Sequence, residues 1–322
     1  MIGIKDIAAA AGVSPATISN ALNGRKNVSE ETRAHILKIC EEMHYEPNLT
    51  GRALKSGTTK TIMFNFSDFD RKFYLEIIHG IHDYVCTRDY DLIICTSKSC
   101  EKFMNKSLSC GGIIQDIHCP DSVLIKKAEE GYPIIAMDRV LDEPNIKSVV
   151  VNNYDPEYEL VEKLVQKGCT KFAFLNGPDT DDSKERYRAF LDVLKKHAIP
   201  FGRESYYAGD FREKSGYQAA RLLLLTKQLP DVLVCANDNM AIGAMKAFRD
   251  NGIKVPDDIM VCGFDNSEMA SVYNLTTVAI PNYERGYLAA QYLIENVNGA
   301  GNFDPFYVSA KVKWRESTDR KA

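Results

Sequence analysis

The stretch IKDIAAAAGVSPATISNALNG, residues 4–24, decides how the N-terminal part of the chain folds. Ile4, Ile7, Ala8 and Ala11 recur at helical spacing and give one apolar face to a first helix over 4–11. Gly12 and Val13 break it. Ser14 is a helix N-cap candidate, and Pro15 follows at the first helical position, where its missing N–H costs nothing. A second helix then runs over 15–22 and stops at Asn23-Gly24, a helix-ending pair. Ile18, Ala21 and Leu22 form its packing face. Downstream, NVSEETRAHILKICEEMHYEPN (27–48) reads as a third helix capped by Ser29. Glu30 and Glu31 lie in its first turn, where the macrodipole favours anions, and Ile36, Leu37, Ile39, Cys40 and Met43 are its expected buried face.

Two helices joined by a short glycine-containing turn can place the second in the major groove of DNA. Ser14, Thr17, Ser19 and Asn20 are short polar groups that suit phosphates or base edges. An ordinary three-helix bundle shows the same generic pattern. The net charge of −4 argues against a nucleic-acid binder, but its distribution does not. Residues 1–60 carry eight Lys/Arg against six Asp/Glu, and the remainder 32 against 38, so only the head has a basic excess.

Pro47 ends this unit, and 48–60 is a polar linker with Leu49, Ala53 and Leu54 as its apolar residues. From Thr61 the pattern alternates. Strand-like runs cover 61–66, 91–96, 112–115, 133–137, 149–151, 172–175, 232–236 and 259–263. Helix patterns cover 73–87, 122–130, 158–167, 183–197, 214–227 and 239–251. Strands alternating with helices mean parallel sheets in an α/β architecture. With 322 residues, 45% of them apolar and 26% charged, the chain is a folded protein of two or three units rather than a disordered one. No run approaches the roughly 18 apolar residues of a membrane span. The N-terminus lacks a signal-peptide pattern, so a cytoplasmic protein without membrane contact is expected. Nine cysteines are scattered in no repeated spacing, and Cys40, Cys95, Cys235 and Cys262 sit in apolar runs as reduced core residues.

The head motifs I-x-D-I-A, A-G-V-S, T-I-S-x-x-L-N, V-S-x-x-T-R and Y-x-P-N, then Arg52-x-Leu54 in the linker, closely resemble the LacI-type (LacI/GalR) family of transcriptional regulators. The resemblance continues through Gly177-Pro178, Asn237-Asp238, Ala241-x-Gly243-Ala244, Val255-Pro256-x-Asp258-Ile259, Gly263-Phe264-Asp265, Leu275-Thr276-Thr277 and Arg315-Glu316-Ser317-Thr318, and so spans essentially the whole chain. It implies a small all-α helix-turn-helix head (1–46), a hinge helix or linker (47–59), and a two-lobed body (60–322) like a periplasmic binding protein, with parallel sheets. Lobe one would take about 60–151 and 282–308, and lobe two about 152–281 and 309–322.

Carried over residue by residue, the resemblance implies a homodimer that binds double-stranded operator DNA through Lys5, Ser14, Pro15, Ala16, Thr17, Ser19, Asn20, Asn23, Asn27, Val28, Ser29, Thr32 and Tyr45. In the linker, Leu54 from each copy would wedge into the minor groove between base pairs, with Asn48, Arg52 and Lys55 on the backbone. Gly51 stands where the family usually has alanine and costs a helix roughly 1 kcal/mol, so hinge order should depend more on DNA.

In the body the resemblance implies a small-molecule effector between the lobes and no cofactor. Asp68, Phe73, Tyr74, Arg139, Arg186, Phe211, Asn237 and Asp265 are the candidate contacts. Arg, Asn and Asp together can bracket vicinal hydroxyls, which favours a sugar or sugar phosphate. Phe73, Tyr74 and Phe211 could instead stack a purine. Asn65 and Asp68 replace residues usual in the family, and 97–111 is shorter than its usual strand-helix-strand unit. A regulator that answers to a protein partner therefore stays open. Other classes are a sugar-binding receptor without a DNA role and an α/β enzyme. The enzyme lacks its marks: there is no G-x-G-x-x-G, Walker loop or G-x-S-x-G. His79, His82 and Cys86 share a helix face but sit beside core Ile77, Ile78, Ile81 and Val85, so no metal is expected there.

Asn20 replaces the more usual Arg or His on the second helix, and asparagine pairs with adenine where arginine pairs with guanine. Operators selected from a random pool should therefore prefer A·T at the base facing Asn20; a retained guanine would refute this.

Overall fold

The computed structural model of the chain describes residues 2–22, 25, 27–45, 59–67, 69, 73–97, 99–116, 118–226, 228–299 and 304–320. It divides into two units, Met1–Thr59 and Lys60–Ala322. In the first, the apolar spacing closes into three helices, α1 (Ile4–Ala11), α2 (Pro15–Leu22) and α3 (Glu30–Glu42). Ile7, Ala8, Ile18, Ala21, Val28, Ile36, Ile39 and Cys40 form their common core. Leu37, expected in that core, is 49% exposed. It lies one residue from Ile36, about 100° round the helix, and so falls off the stripe that Ile36, Ile39, Cys40 and Met43 share.

The second unit holds two six-stranded sheets. The first comprises β1 (Thr61–Phe66), β2 (Asp91–Thr96), β3 (Gly111–Ile114), β4 (Ile134–Met137), β5 (Ile146–Val151) and β11 (Phe306–Val308). Its order is β11-β5-β4-β3-β1-β2, and every pair is parallel. Side chains alternate across a strand, and here both faces are covered. Ile62, Phe64 and Phe66 pack with α4 (Phe73–Thr87) and α12 (Asn282–Val297). Met63 faces the other way, toward α5 (Ser99–Phe103) and α6 (Asp121–Glu129).

The second sheet comprises β6 (Phe172–Asn176), β7 (Tyr206–Ala208), β8 (Val232–Cys235), β9 (Met260–Asp265), β10 (Thr276–Ala279) and β12 (Lys311–Lys313). Its order is β12-β10-β9-β8-β6-β7, parallel except for the β10–β12 pair. Helices α7 (Tyr154–Gln166), α8 (Asp181–Lys196), α9 (Glu213–Leu223), α10 (Asp238–Asp250) and α11 (Glu268–Val272) belong to this lobe. The chain passes between the sheets three times, after β5, β10 and β11. Asn152, in the first crossover, donates its N–H to the Val308 carbonyl at the third, 3.1 Å away.

Each lobe has one helix pair that approaches on glycine. A Cβ on Gly80 of α4 would lie 2.0 Å from the Tyr283 carbonyl oxygen of α12, and one on Gly286 would lie 2.0 Å from that of Ile77. In lobe two a Cβ on Gly216 would meet the Met240 carbonyl oxygen, and one on Gly243 that of Glu213, again at 2.0 Å. The neighbour is rigid helix backbone in every case. Among the described residues no helix is long and apolar enough to cross a membrane.

Gly80→Ala should force α4 and α12 apart and destabilise the body by about 1–3 kcal/mol, as overpacking of tight cores does. Urea unfolding measures this; an unchanged midpoint would contradict the contact.

Candidate functional site

The head presents two helix N-termini with the same cap. Ser14 Oγ accepts the Thr17 N–H at 3.1 Å and is hydrogen-bonded to Thr17 Oγ1 at 2.9 Å. Ser29 Oγ accepts the Thr32 N–H at 3.2 Å and pairs with Thr32 Oγ1 at 2.8 Å. These hydroxyls satisfy first-turn amides, and the dipole at each N-terminus suits an anion such as a phosphate. Ser14, Pro15 and Ala16 are exposed at the start of α2, while Thr17, Ser19 and Asn20 are half-buried. Lys5, Asn27 and Ser29 are exposed, and Thr32 and Tyr45 half-buried. Val28 corrects the expectation of a surface contact. Its side chain packs in the head's core, because an apolar residue entering α3 closes the bundle. Asn23, Asn48, Arg52, Leu54, Lys55 and Asp68 lie outside the described residues.

In the body, polar side chains gather where the strands of lobe two end, the place where open α/β sheets bind ligands. Arg186 on α8 is 4% exposed. Its Nε donates to Asn153 Oδ1 at 3.0 Å and its Nη1 to the Ala236 carbonyl at 2.5 Å; Nη2 lies 3.4 Å from Asp182 Oδ2. Its face lies 3.7 Å over the Phe264 ring. Two hydrogen bonds and one longer ion pair for five N–H donors leave capacity for an acceptor on a ligand. Asn153 belongs to the first crossover, so this cation ties lobe two to the chain between the lobes.

Asn237 has a defined structural role. Its Oδ1 caps α10 by accepting the Met240 N–H at 3.0 Å, and its Nδ2 donates to the Phe211 carbonyl at 3.0 Å. Phe211 itself sits at a left-handed φ of 66° with its ring against Gly177, where a Cβ would lie 2.2 Å from it. Asp265, at the end of β9, has φ 112° and Asn266 has φ 56°. Two consecutive non-glycine residues held there store strain, a feature that clusters at binding sites. Arg315 holds this turn, donating from Nη2 to Asn266 Oδ1 and from Nη1 to the Leu275 carbonyl, both at 2.7 Å. Behind it, burial raises the Asp238 carboxyl to about 8, helped by the charge of Asp265. Asp238 accepts from Thr277 Oγ1 at 2.5 Å and from the Ser267 N–H at 2.6 Å.

On the lobe-one side, Asp138 follows β4 at φ 59°. Its carboxylate accepts from Arg285 Nη2 at 2.6 Å and from Gln115 Nε2. Arg285 is 2% exposed and also donates to Asn282 Oδ1, 2.9 Å away in the same first turn of α12. Arg139 points elsewhere. Its guanidinium donates to the carbonyls of Asp116 and Cys119 and to Asp121 Oδ1, each at 2.8 Å, all on the turn 116–121. Phe73 and Tyr74 lie in the first turn of α4, and with Phe66 and Phe69 they form one aromatic group with centroids 4.3–4.9 Å apart. The structure thus brings Arg186, Phe211, Asn237 and Asp265 to the strand ends of lobe two, and Phe73, Tyr74 and Arg139 to those of lobe one.

Sequence reasoning did not single out Asn153, Glu157, Gln115 and Arg285, nor the ring of Phe264 within its Gly263-Phe264-Asp265 motif as a partner of Arg186. Only an Arg in the middle of a core pattern, as at Arg285, hints at a buried partner. Glu157 on α7 is fully buried, and neither carboxyl oxygen has a hydrogen-bond partner among the described residues. A concavity of about 670 Å³ on the flank of lobe two, lined by Tyr154, Tyr158 and Trp314, contains none of the residues above. It lacks a buried convergent charge, so the strand-end group is the better ligand site. Near α4's flank, Cys86 Sγ and His82 lie 3.4 Å apart, and among the described residues no group of three or more donors could hold a metal ion.

Burial pushes the Glu157 carboxyl up to about 8, against the pull of the Arg186 charge. The folded chain therefore keeps a proton that the unfolded chain releases near 4.5, so stability from this group falls as pH rises from about 4.5 to about 8. Glu157→Gln should flatten that fall and be the more stable protein at pH 8, by on the order of 2 kcal/mol. Thermal unfolding from pH 5 to 8 checks it; parallel curves would refute the assignment.

Residues 3–48 match the lacI family of bacterial regulatory proteins, and residues 161–318 match a periplasmic binding protein-like domain. The HTH-type transcriptional regulator RegA of Clostridium saccharobutylicum is 32% identical over 98% of this chain and 98% of its own. The solved lac repressor dimer, bound to operator and the anti-inducer ONPF, matches with a TM-score of 0.85 at 25% identity, covering 98% of this chain and 99% of that one. A sugar-binding transcriptional regulator of the LacI family from Enterococcus faecalis is 31% identical, with a TM-score of 0.72 over 81% of this chain and 98% of that one. With a helix-turn-helix head and a body of two mainly parallel six-stranded sheets, the chain belongs to the lacI family: it is a DNA-binding transcriptional regulator with an effector-binding domain, not an enzyme.

Proposed function

We propose that this regulator represses a sugar-use or related metabolic operon as a cytoplasmic homodimer, and that a sugar or sugar phosphate bound between its lobes switches its grip on the operator. The working division is a DNA-reading head over 1–46, a hinge over 47–59 and an effector-binding body over 60–322. The observation that carries the effector reading is Arg186: a buried, aromatic-backed guanidinium with spare donors, in the same strand-end group as half-exposed Asp265. A fixed cation beside a fixed acid suits a ligand with several hydroxyls and an anionic or polar edge. The likeness to the Enterococcus faecalis sugar-binding regulator supports the same class.

A ligand changes DNA affinity only by binding two arrangements of the lobes unequally. Arg186 holds Asn153 of the first crossover, and Arg285 ties the start of α12, just after the second, to Asp138 at the end of β4, so a ligand that engages the strand ends acts next to the segments about which the lobes would turn. On DNA, Leu54 of each copy would open a base step, with Asn48, Arg52 and Lys55 on the flanking phosphates. A purine is the second reading, favoured by the aromatic group around Phe69, which is 75% exposed.

Gel shifts of the pure protein on its own promoter region, with panels of sugars, sugar phosphates and purines, test both readings. A sugar-class compound should change operator affinity at least tenfold, and Arg186→Lys, which keeps the buried charge, should weaken the response more than it weakens ligand-free operator binding. Leu54→Ala should weaken operator binding at least tenfold. A response to purines alone would replace the sugar reading, and full-strength binding by Leu54→Ala would refute the hinge.

A further inference from the structure

Under the turn that carries Arg139, lobe one holds a cluster of thiols. Cys95 lies on β2, Cys100 in the first turn of α5, and Cys119 in the turn 116–121 between β3 and α6. All three are buried. The sulfurs of Cys100 and Cys119 are hydrogen-bonded, 3.8 Å apart. A disulfide needs about 2.0 Å, so closure requires side-chain rotation and a small shift of a five-residue helix or a turn, neither of which is part of the sheet. Cys95 is different. It is fixed on a strand, and Asn65 Nδ2 lies 3.3 Å from its carbonyl and 3.8 Å from its sulfur.

The two sulfurs are not equivalent. Cys119 loses its proton first: Cys100 can donate to the thiolate it leaves, and the nearby Arg139 charge favours that thiolate, together outweighing the burial that opposes it. Cys100 is correspondingly held well above the ordinary thiol range. A sulfur that ionises first, in contact with a second thiol whose proton the departing hydroxide can take, is the arrangement of a thiol pair able to close on oxidation.

We propose that Cys100 and Cys119 form a redox modification site, oxidised by hydroperoxides to a disulfide that resets the turn holding Arg139. The Cys119 thiolate attacks the peroxide: an S–O bond forms, the O–O bond breaks, and the departing alkoxide or hydroxide takes a proton. The Cys100 sulfur then attacks the sulfenic acid of Cys119. The S–S bond forms, the S–O bond breaks, and water leaves with the thiol proton. Two thiols and one hydroperoxide thus give one disulfide, one alcohol or water, and one further water. The turn 116–121 supplies all three of the Arg139 acceptors described above, so any displacement of Cys119 reaches the end of β4, where Asp138 meets Arg285. Formation of the bond does not depend on the effector reading; only a consequence for ligand response rests on it.

The test uses the full chain, reduced, desalted, exposed to hydrogen peroxide, and then alkylated under denaturing conditions. Seven of the nine cysteines should take up alkylating agent, and the mass should fall by the two hydrogens of one disulfide. Peptide mapping should join the Cys100 and Cys119 peptides. Dithiothreitol should restore nine reactive thiols. Cys100→Ser and Cys119→Ser should each prevent the link, and Cys95→Ser should leave it. Hydrogen exchange of the amides in 116–121 should change severalfold on oxidation in the parent but not in Cys100→Ser. No link, or a link through Cys95 or Cys110, overturns the site. A link without any change in exchange overturns its action on the turn.

Discussion

The body is organised around a buried cation. Arg186 is withdrawn from water, which would cost several kcal/mol if its charge were left unpaired. Asp182, the Asn153 side chain, the Ala236 carbonyl and the Phe264 ring offset that cost, and each comes from a different piece of structure: α8 itself, a crossover, the end of β8, and β9. Removing the cation would leave a carboxylate and a carbonyl without donors and would free the crossover. Lobe one has a second buried arginine, but Arg285 and Asn282 share the first turn of α12, and its reach to another element is to Asp138 at the end of β4. Only in lobe two does the arginine fasten a crossover asparagine.

The glycine contacts explain why the crossovers matter. With Gly80 and Gly286 in one lobe and Gly216 and Gly243 in the other, paired helices meet backbone to backbone, and interiors packed that closely transmit strain rather than absorb it. Packing this close resists change inside a lobe and leaves the three connecting segments as the joints between lobes. A ligand that distinguishes two lobe arrangements by 1.4 kcal/mol would shift their ratio tenfold. Arg186, bonded to Asn153 of one such segment, is well placed to convert a contact into that difference.

Much of this could be read from residue order. The head helices, the α/β alternation and most strand positions follow from apolar spacing and from caps such as Ser14 and Ser29. The short strands at Tyr206–Ala208, Phe306–Val308 and Lys311–Lys313 could not: three residues carry no period, and Lys311-Val312-Lys313 is polar because it is an edge strand. Helix α12 is inconspicuous because Gly286, Ala289 and Ala290 supply much of its buried face, where small residues do the packing. Beyond the end of β4, Arg139 and Asp138 are neighbours in sequence, yet with Asp138 at φ 59° one turns to the acceptors of Asp116, Cys119 and Asp121 and the other to Arg285. Residue type alone suggested Arg139; only the fold shows that Asp138 carries the contact with the start of α12. Glu157 was illegible for another reason, since an acid on an amphipathic helix normally faces water.

The head poses a different physical problem from the body. Among the described residues its core is eight buried side chains, and a domain that small has little stability to spare. Each serine cap contributes about 1 kcal/mol, a substantial share of such a total. The same hydroxyls stand at the exposed N-termini of α2 and α3, where a phosphate would be bound. A hydroxyl can accept from its first-turn amide and donate to a phosphate at once, so a phosphate bound there would strengthen the cap it uses. Stability of the head and affinity for DNA would then share one group. Weaker binding by a variant at Ser14 reports on both, and only its unfolding midpoint without DNA separates a lost phosphate contact from a frayed helix.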